Sequence, residues 1–252
     1  MSDIIQPMRE VFVTGETLPD AYHKALLELN NYGDITPCPD WNTMQKECSM
    51  TMIVENPIQE PMISKCFIGG FYELEQYRQE MLDGILDFEV ERGNWAYTYH
   101  QRYAKQYDMM KQELIKNSHT RRAIMNIRSD DDIGSNEPAC MQSIQYFIRD
   151  GKLYCKVLFR SNDACKATFM NAFALILMQK RLADELCVQM GTYVHRANSF
   201  HCYERDFGLL NGYCKRIFKN EKLTYNYVGE WDELMEDAKP MIAKAVSDLK
   251  NK

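Results

Sequence analysis

PACMQSIQYFIRDGKLYCKVLFRSND, residues 138–163, holds two strand-like runs joined at Asp150-Gly151. Residues 143–148 and 153–159 read as paired strands, and an Asp-Gly step between such runs is a strong short-range hairpin signal. Cys140 stands just ahead of the first strand, and Arg160-Ser161-Asn162-Asp163 closes the second. The pairing sets a possible thiolate nucleophile on one strand and an anion-gripping arginine at the end of the next. A nucleophile beside an anion clamp points to covalent chemistry on a phosphorylated small molecule.

Working outward, residues 8–14 and 48–55 read as strands and residues 18–32 as a helix, with Leu18, Tyr22, Leu26 and Leu29 recurring at helical spacing. A second helix spans 72–82 and ends near Gly84. A third covers 104–116, with Tyr107, Met110 and Leu114 on one face. Residues 122–127 and 192–205 have extended character, and 230–250 reads as a terminal helix. The run 169–186 is apolar on most faces, the pattern of a buried central helix. Strands and helices alternate irregularly, with hairpins. The expected fold class is therefore a mixed-sheet α/β (α+β) domain and not a doubly wound parallel sheet. Without repeats or Gly/Ser linkers, residues 1–252 read as a single domain.

The composition, 45% hydrophobic and 26% charged, is that of an ordinary globular chain. A net charge of −6 with no dense Lys/Arg run argues against a polymeric nucleic-acid partner. It leaves room for one nucleotide held by a few local arginines. No basic leader and no apolar stretch of membrane-spanning length is visible, so a cytoplasmic protein without a membrane partner is expected. The nine cysteines lack a paired framework and read as free thiols in a reducing compartment. No C-x-x-C occurs and the histidines do not cluster, so no metal is expected.

A cysteine near a strand start, taken alone, is more often a small buried hydrophobe than a nucleophile. The neighbourhood of Cys140 raises it above the other cysteines: Pro138 restricts the approach, and a guanidinium at Arg160 would favour the thiolate. Arg160 and Ser161 combine a planar fork with a hydroxyl donor, suited to an anion. Arg121 and Arg122 form a second pair behind a helix. Adjacent arginines in extended chain point to opposite faces, so both gripping one phosphate from within one subunit is awkward. Asn171, in an apolar helix opening, either caps the helix or reads a base edge as a donor–acceptor pair. His201 and Tyr203 share one face of a strand and would suit sugar hydroxyls.

Taken together, the segment Cys140-Met141-Gln142-Ser143-Ile144-Gln145-Tyr146, then Arg160-Ser161-Asn162-Asp163, Asn171 and His201-Cys202-Tyr203, resembles thymidylate synthase and its sister pyrimidine hydroxymethylases. Glu73-Leu74-Glu75-Gln76-Tyr77 looks like that family's glutamate-bearing helix, and Asn117-Ser118-His119-Thr120-Arg121-Arg122 like its double-arginine motif. The resemblance runs from about Glu73 to about Asp206. Tyr97-Thr98-Tyr99-His100-Gln101-Arg102, with Lys166-Ala167-Thr168-Phe169-Met170-Asn171, looks closest to the short, methanogen-type branch.

The resemblance implies a large mixed sheet flanked by helices and roles residue by residue. Cys140 would add to C6 of dUMP, and Glu73 would organise water and shuttle protons. Arg160 and Ser161 would hold the 5′-phosphate, joined by Arg121 and Arg122 from the second subunit of a homodimer. His201 and Tyr203 would bind the sugar 3′-hydroxyl, Asn171 would select uracil, and Asp163 would contact the pterin. The co-substrate would be 5,10-methylenetetrahydrofolate or a tetrahydromethanopterin analogue, with no metal. Departures gather on the cofactor side. Met141 stands where most synthases have His, the tryptophan-rich stretch is shortened, and Ala-Thr-Phe-Met precedes Asn171. They keep open a 5-hydroxymethylase ending in water capture, which Glu75 with Tyr77 also resembles. A non-catalytic nucleotide-binding relative is a further alternative. An unrelated cysteine hydrolase is disfavoured, because no histidine is placed to pair with Cys140.

Overall fold

A computed structural model describes residues 8–251. Residues 1–7, on which the absence of a leader was read, lie outside the described residues.

The chain opens with β1 (Glu10–Gly15) and α1 (Leu18–Tyr32), where Thr17 Oγ1 accepts from the Asp20 N–H as N-cap. An edge strand β2 (Asp34–Cys38), a long β3 (Thr43–Val54) and a short β4 (Ile63–Ser64) follow. Next come α2 (Phe71–Asp83), α3 (Phe88–Glu91) and α4 (Tyr99–Lys116). Then β5 (Ile124–Asn126), β6 (Met141–Arg149) and β7 (Lys152–Asp163) lead into α5 (Thr168–Glu185). The chain closes with β8 (Gln189–Tyr203), α6 (Phe207–Phe218), β9 (Thr224–Tyr225) and α7 (Asp232–Lys250).

One seven-stranded sheet has the order β1-β3-β8-β7-β6-β5, with β2 added on β3. The pairs β1/β3 and β7/β8 are parallel and the remaining pairs antiparallel. This is the mixed sheet flanked by helices that the sequence led us to expect. The β6–β7 hairpin turns where it was placed. Asp150 (φ 50°) and Gly151 (φ 71°) both take positive φ, as a two-residue turn between right-twisted strands demands.

Alternation at period two separates the faces of the sheet. Val11 and Val13, Met50 and Met52, Leu153, Cys155 and Val157, and Tyr193 and His195 are buried. Helix α1 packs on β1 and β3, and α5 packs on β7 and β8. The other face is open: Phe12 is 67% exposed there, and the Arg196 guanidinium bridges Glu10, Ser49 and Thr51 across three strands. Inside α5, Gln179 Nε2 donates to the carbonyls of Leu153 (2.7 Å) and Gly191 (3.1 Å), fixing the helix to the starts of β7 and β8.

The helix expected at 18–32 is present at those bounds, and the other expected helices are present with shifted bounds. The helix placed at 104–116 begins at Tyr99, because Thr98 Oγ1 caps it by accepting from the Gln101 N–H. Its last residue is Lys116, so Arg121 and Arg122 lie beyond its final turn. Gly84 ends α2 at φ 65°, and a Cβ there would come within 2.2 Å of the His100 ring. The sequence reading did not place β2, α3 or α6. Gly208 and Gly212 obscure the apolar face that α6 buries through Leu210, Tyr213 and Cys214.

Candidate active site

Cys140 immediately precedes β6 and is half-buried. The loop that carries it is clamped from β7. The Arg160 N–H donates to the Cys140 carbonyl at 2.8 Å. The Arg160 guanidinium donates through Nη2 to the Pro138 carbonyl (2.8 Å) and through Nε to the Ala139 carbonyl (3.2 Å). The fork therefore holds the loop with one edge and reaches Ser161 Oγ with Nη1 at 3.3 Å, keeping further N–H groups for a ligand. Ser161 Oγ lies 3.6 Å from Cys140 Sγ. The hairpin thus brings thiol, hydroxyl and guanidinium together, as the sequence implied.

The floor behind Ser161 is a buried polar column. Asn162 Oδ1 accepts from Thr168 Oγ1 (2.7 Å) and from His195 Nε2 (2.9 Å). With its proton on Nε2, His195 uses Nδ1 to accept from the Tyr193 hydroxyl at 3.0 Å. Burial pushes the His195 imidazole down to about 3, and it stays a neutral strut stacked on Phe159 at 4.6 Å. Asp163 Oδ1 accepts from the N–H groups of Cys165 (2.9 Å) and Lys166 (3.0 Å), tightening the turn into α5. Of this column only Asp163 was given a role from the sequence; Asn162 and Thr168 are near neighbours, but His195 and Tyr193 reach them from β8.

On the neighbouring strand, parallel register sets Ser199 beside Ser161 and His201 beside Asp163. His201 Nδ1 donates to the Ser199 carbonyl at 3.2 Å, which leaves Nε2 as an acceptor, and burial lowers its proton affinity. The Tyr203 ring meets the His201 ring edge-on at 4.8 Å. The expected shared face of these two side chains is present.

Helix α2 supplies the opposite wall. Tyr77 donates from its hydroxyl to Asn171 Oδ1, linking α2 to the first turn of α5. Asn171 is not a helix cap; Ala167 occupies that position, and the amide faces inward at 4% exposure. Glu73 caps its own helix: its carboxylate accepts from the Gly70 N–H at 2.7 Å. It is exposed, and among the described residues no hydrogen bond joins it to Cys140. Glu73, Tyr77 and Glu80 recur at i, i+4 and i+7 on one face. That spacing was the available signal for Tyr77 and Glu80, which the sequence reading did not select as site residues.

A cavity of about 380 Å³ opens along this face, lined in part by Tyr77, Glu80, Trp95, Tyr97, Tyr99 and Glu137. It abuts the nucleophile loop: the Met141 N–H donates to the Tyr99 hydroxyl at 3.4 Å. Burial raises the Glu80 carboxyl above the usual carboxylate range.

Arg121 and Arg122 are not brought to Cys140 within the chain. They are exposed, and the adjoining Ala123 carbonyl accepts from the Tyr146 N–H, six residues along β6 from Cys140. At the strand rise this is roughly 20 Å. Among the described residues no group of three His, Cys, Asp or Glu is placed to hold a metal ion, and no helix is long and apolar enough to cross a membrane.

The thymidylate synthase family model matches residues 72–238, which span every candidate residue above. The chain belongs to the thymidylate synthase family. It is accordingly a transferase of that family. A protein of Methanocaldococcus jannaschii, provisionally named thymidylate synthase, is 28% identical over 81% of this chain and 96% of its own length. A similarly named Methanosarcina barkeri protein is 26% identical over 81% of this chain and 95% of its own length. Thermostable thymidylate synthase A from Bacillus subtilis superposes with a TM-score of 0.63, covering 79% of this chain and 84% of that one. At 16% identity, that match speaks for the thymidylate synthase fold alone.

Proposed function

We propose that this chain is a thymidylate synthase, methylating C5 of dUMP to give dTMP with a methylenetetrahydrofolate-type donor. The observation that carries the reading is the meeting of Cys140 Sγ, Ser161 Oγ and the Arg160 guanidinium at the end of the β6–β7 hairpin. A thiolate there can form an Sγ–C6 bond while the 5′-phosphate sits on Arg160 and Ser161. The adduct turns C5 into a carbon nucleophile that takes the methylene carbon from the donor. Loss of the C5 proton and cleavage of the bond between the methylene and the donor nitrogen leave an exocyclic methylene on the Cys140-bound ring, and Sγ departs from C6 as hydride reaches that methylene. Hydride from the tetrahydrofolate completes the methyl group, and the donor leaves as dihydrofolate. Asn171 reads the base, His201 and Tyr203 hold the 3′-hydroxyl, Asp163 meets the pterin, and Glu73 organises water and protons. The ring-lined cavity beside Tyr97 and Trp95 suits a flat fused heterocycle. The whole chain, residues 1–252, acts as one catalytic domain in the cytoplasm.

A second reading, 5-hydroxymethylation of the nucleotide, draws support from the polar groups Glu80, Asn94 and Glu137 in that cavity, which would admit water to the methylene intermediate. Incubation with dUMP and methylenetetrahydrofolate, followed by mass spectrometry of the nucleotide, separates the two. The expected product is dTMP with an equal amount of dihydrofolate. 5-Hydroxymethyl-dUMP without dihydrofolate would establish the second reading instead.

We also propose a homodimer packed through the open sheet face, with Arg121 and Arg122 of each subunit reaching the phosphate of the other. Their distance from Cys140 along β6 supports this arrangement. Arg121→Ala and Cys140→Ala proteins, each inactive alone, are expected to regain activity when mixed as heterodimers, at about a quarter of the wild-type rate if subunits pair at random. A verified heterodimer without any activity would exclude shared sites.

A further inference from the structure

The contact between Tyr77 and Asn171 joins two helices far apart in sequence, and it bears on how Asn171 can be used. Asn171 Oδ1 accepts the Tyr77 hydroxyl proton. Its Nδ2 makes no hydrogen bond among the described residues, yet it is not one of the sealed, unpartnered side-chain atoms there. The amide therefore keeps an uncommitted donor directed at open space. Burial raises the Tyr77 phenol well above its ordinary value, so the hydroxyl is a neutral donor throughout the working pH range.

A phenol has one proton to give. If the Asn171 amide turned over, Nδ2 would donate to the Tyr77 oxygen and the phenolic proton would lose its acceptor inside the protein. The remaining partner would be water in the cavity that Tyr77 lines, so the orientation in place is the one that pairs the phenol within the protein. We infer that Tyr77 is a positioning residue that locks the Asn171 amide with its oxygen toward α2 and its NH₂ toward the pyrimidine, and thereby sets the choice of base. The inference rests on the reading of Asn171 as the base-reading residue. A locked NH₂ donates to O4 of uracil. The same group meets the 4-amino group of cytosine donor against donor. The second lone pair of Oδ1 stays free for N3–H of uracil. The helix that carries Glu73 thus has a second task, imposing on Asn171 the one amide orientation that favours a C4 carbonyl.

The test is Tyr77→Phe, which removes the hydroxyl and keeps the ring. The ratio of kcat/KM for dUMP to that for dCMP is expected to fall by about tenfold, chiefly through a gain with dCMP. A general loosening of the fold would lower both values together and leave the ratio in place. Equilibrium dialysis of the two nucleotides gives the same ratio as Kd values, without need of turnover. Tyr77→His, which returns an N–H donor, is expected to recover part of the ratio. An unchanged ratio in Tyr77→Phe, alongside a shift toward dCMP in Asn171→Asp, would overturn the role of Tyr77 and leave the base reading standing. If Asn171→Asp also leaves the ratio unmoved, Asn171 does not read the base and the inference falls with it.

Discussion

Cys140→Ala is expected to reduce turnover by about 10⁴-fold or more and to abolish tritium release from [5-³H]dUMP. Uracil C5 is a poor nucleophile until C6 carries an added thiolate. No second thiol of the chain stands beside Ser161 to replace it. Cys48, Cys66, Cys155, Cys165, Cys202 and Cys214 are buried, and Cys38 and Cys187 lie on other segments. The substitution should leave the fold intact, because the loop is held by its backbone: the carbonyls of Pro138, Ala139 and Cys140 all accept from Arg160. None of those bonds uses the thiol. Nucleotide affinity should therefore persist while catalysis disappears, a split that equilibrium dialysis and rate measurements resolve. A covalent nucleotide adduct is expected in mass spectra of the denatured wild-type protein and should be missing from the variant. If the alanine protein, or protein alkylated at Cys140, kept its tritium release, covalent catalysis at this residue would be refuted.

Asn171→Asp should move the preference from dUMP to dCMP, changing the ratio of their kcat/KM values by a hundredfold or more. A carboxylate only accepts, so it loses the donor for O4 and gains an acceptor for the 4-amino group of cytosine. The Tyr77 hydroxyl can still donate to one carboxylate oxygen. The second oxygen then faces the base. The charge is tolerable because Asn171 lies in the first turn of α5, near the positive end of the helix. The near-equal volumes of the two side chains limit the packing cost. A variant that melts like the wild type yet keeps its dUMP preference would show that another group reads the base.

Much of the site was legible in the chain because its central parts are local. The Asp150-Gly151 turn sets the register of β6 against β7, and that register, shifted by one residue at a bulge between Met141 and Ser143, carries Cys140 to Arg160 and Ser161. The spacing of His201 and Tyr203 on β8 likewise needs only the period of a strand. Glu73 was legible as a motif residue, but its carboxylate is engaged at the Gly70 N–H of its own helix. The His195–Asn162–Thr168 column was invisible. Each member is an ordinary polar residue until three segments pack and exclude water from between them.

The sequence by itself determined the hairpin, the order of the chemical groups along the chain and the family to which they belong. These follow from turn chemistry, periodicity and short spacings, which act between near neighbours. Only the tertiary structure decided that Tyr77 of α2 grips Asn171 of α5 and that Arg121 and Arg122 lie away from Cys140. It also decided that Arg160 spends one edge of its fork on the nucleophile loop. Those outcomes depend on how helices dock on a sheet built from strands distant in sequence. A partner for a buried donor is assigned only once that packing is complete.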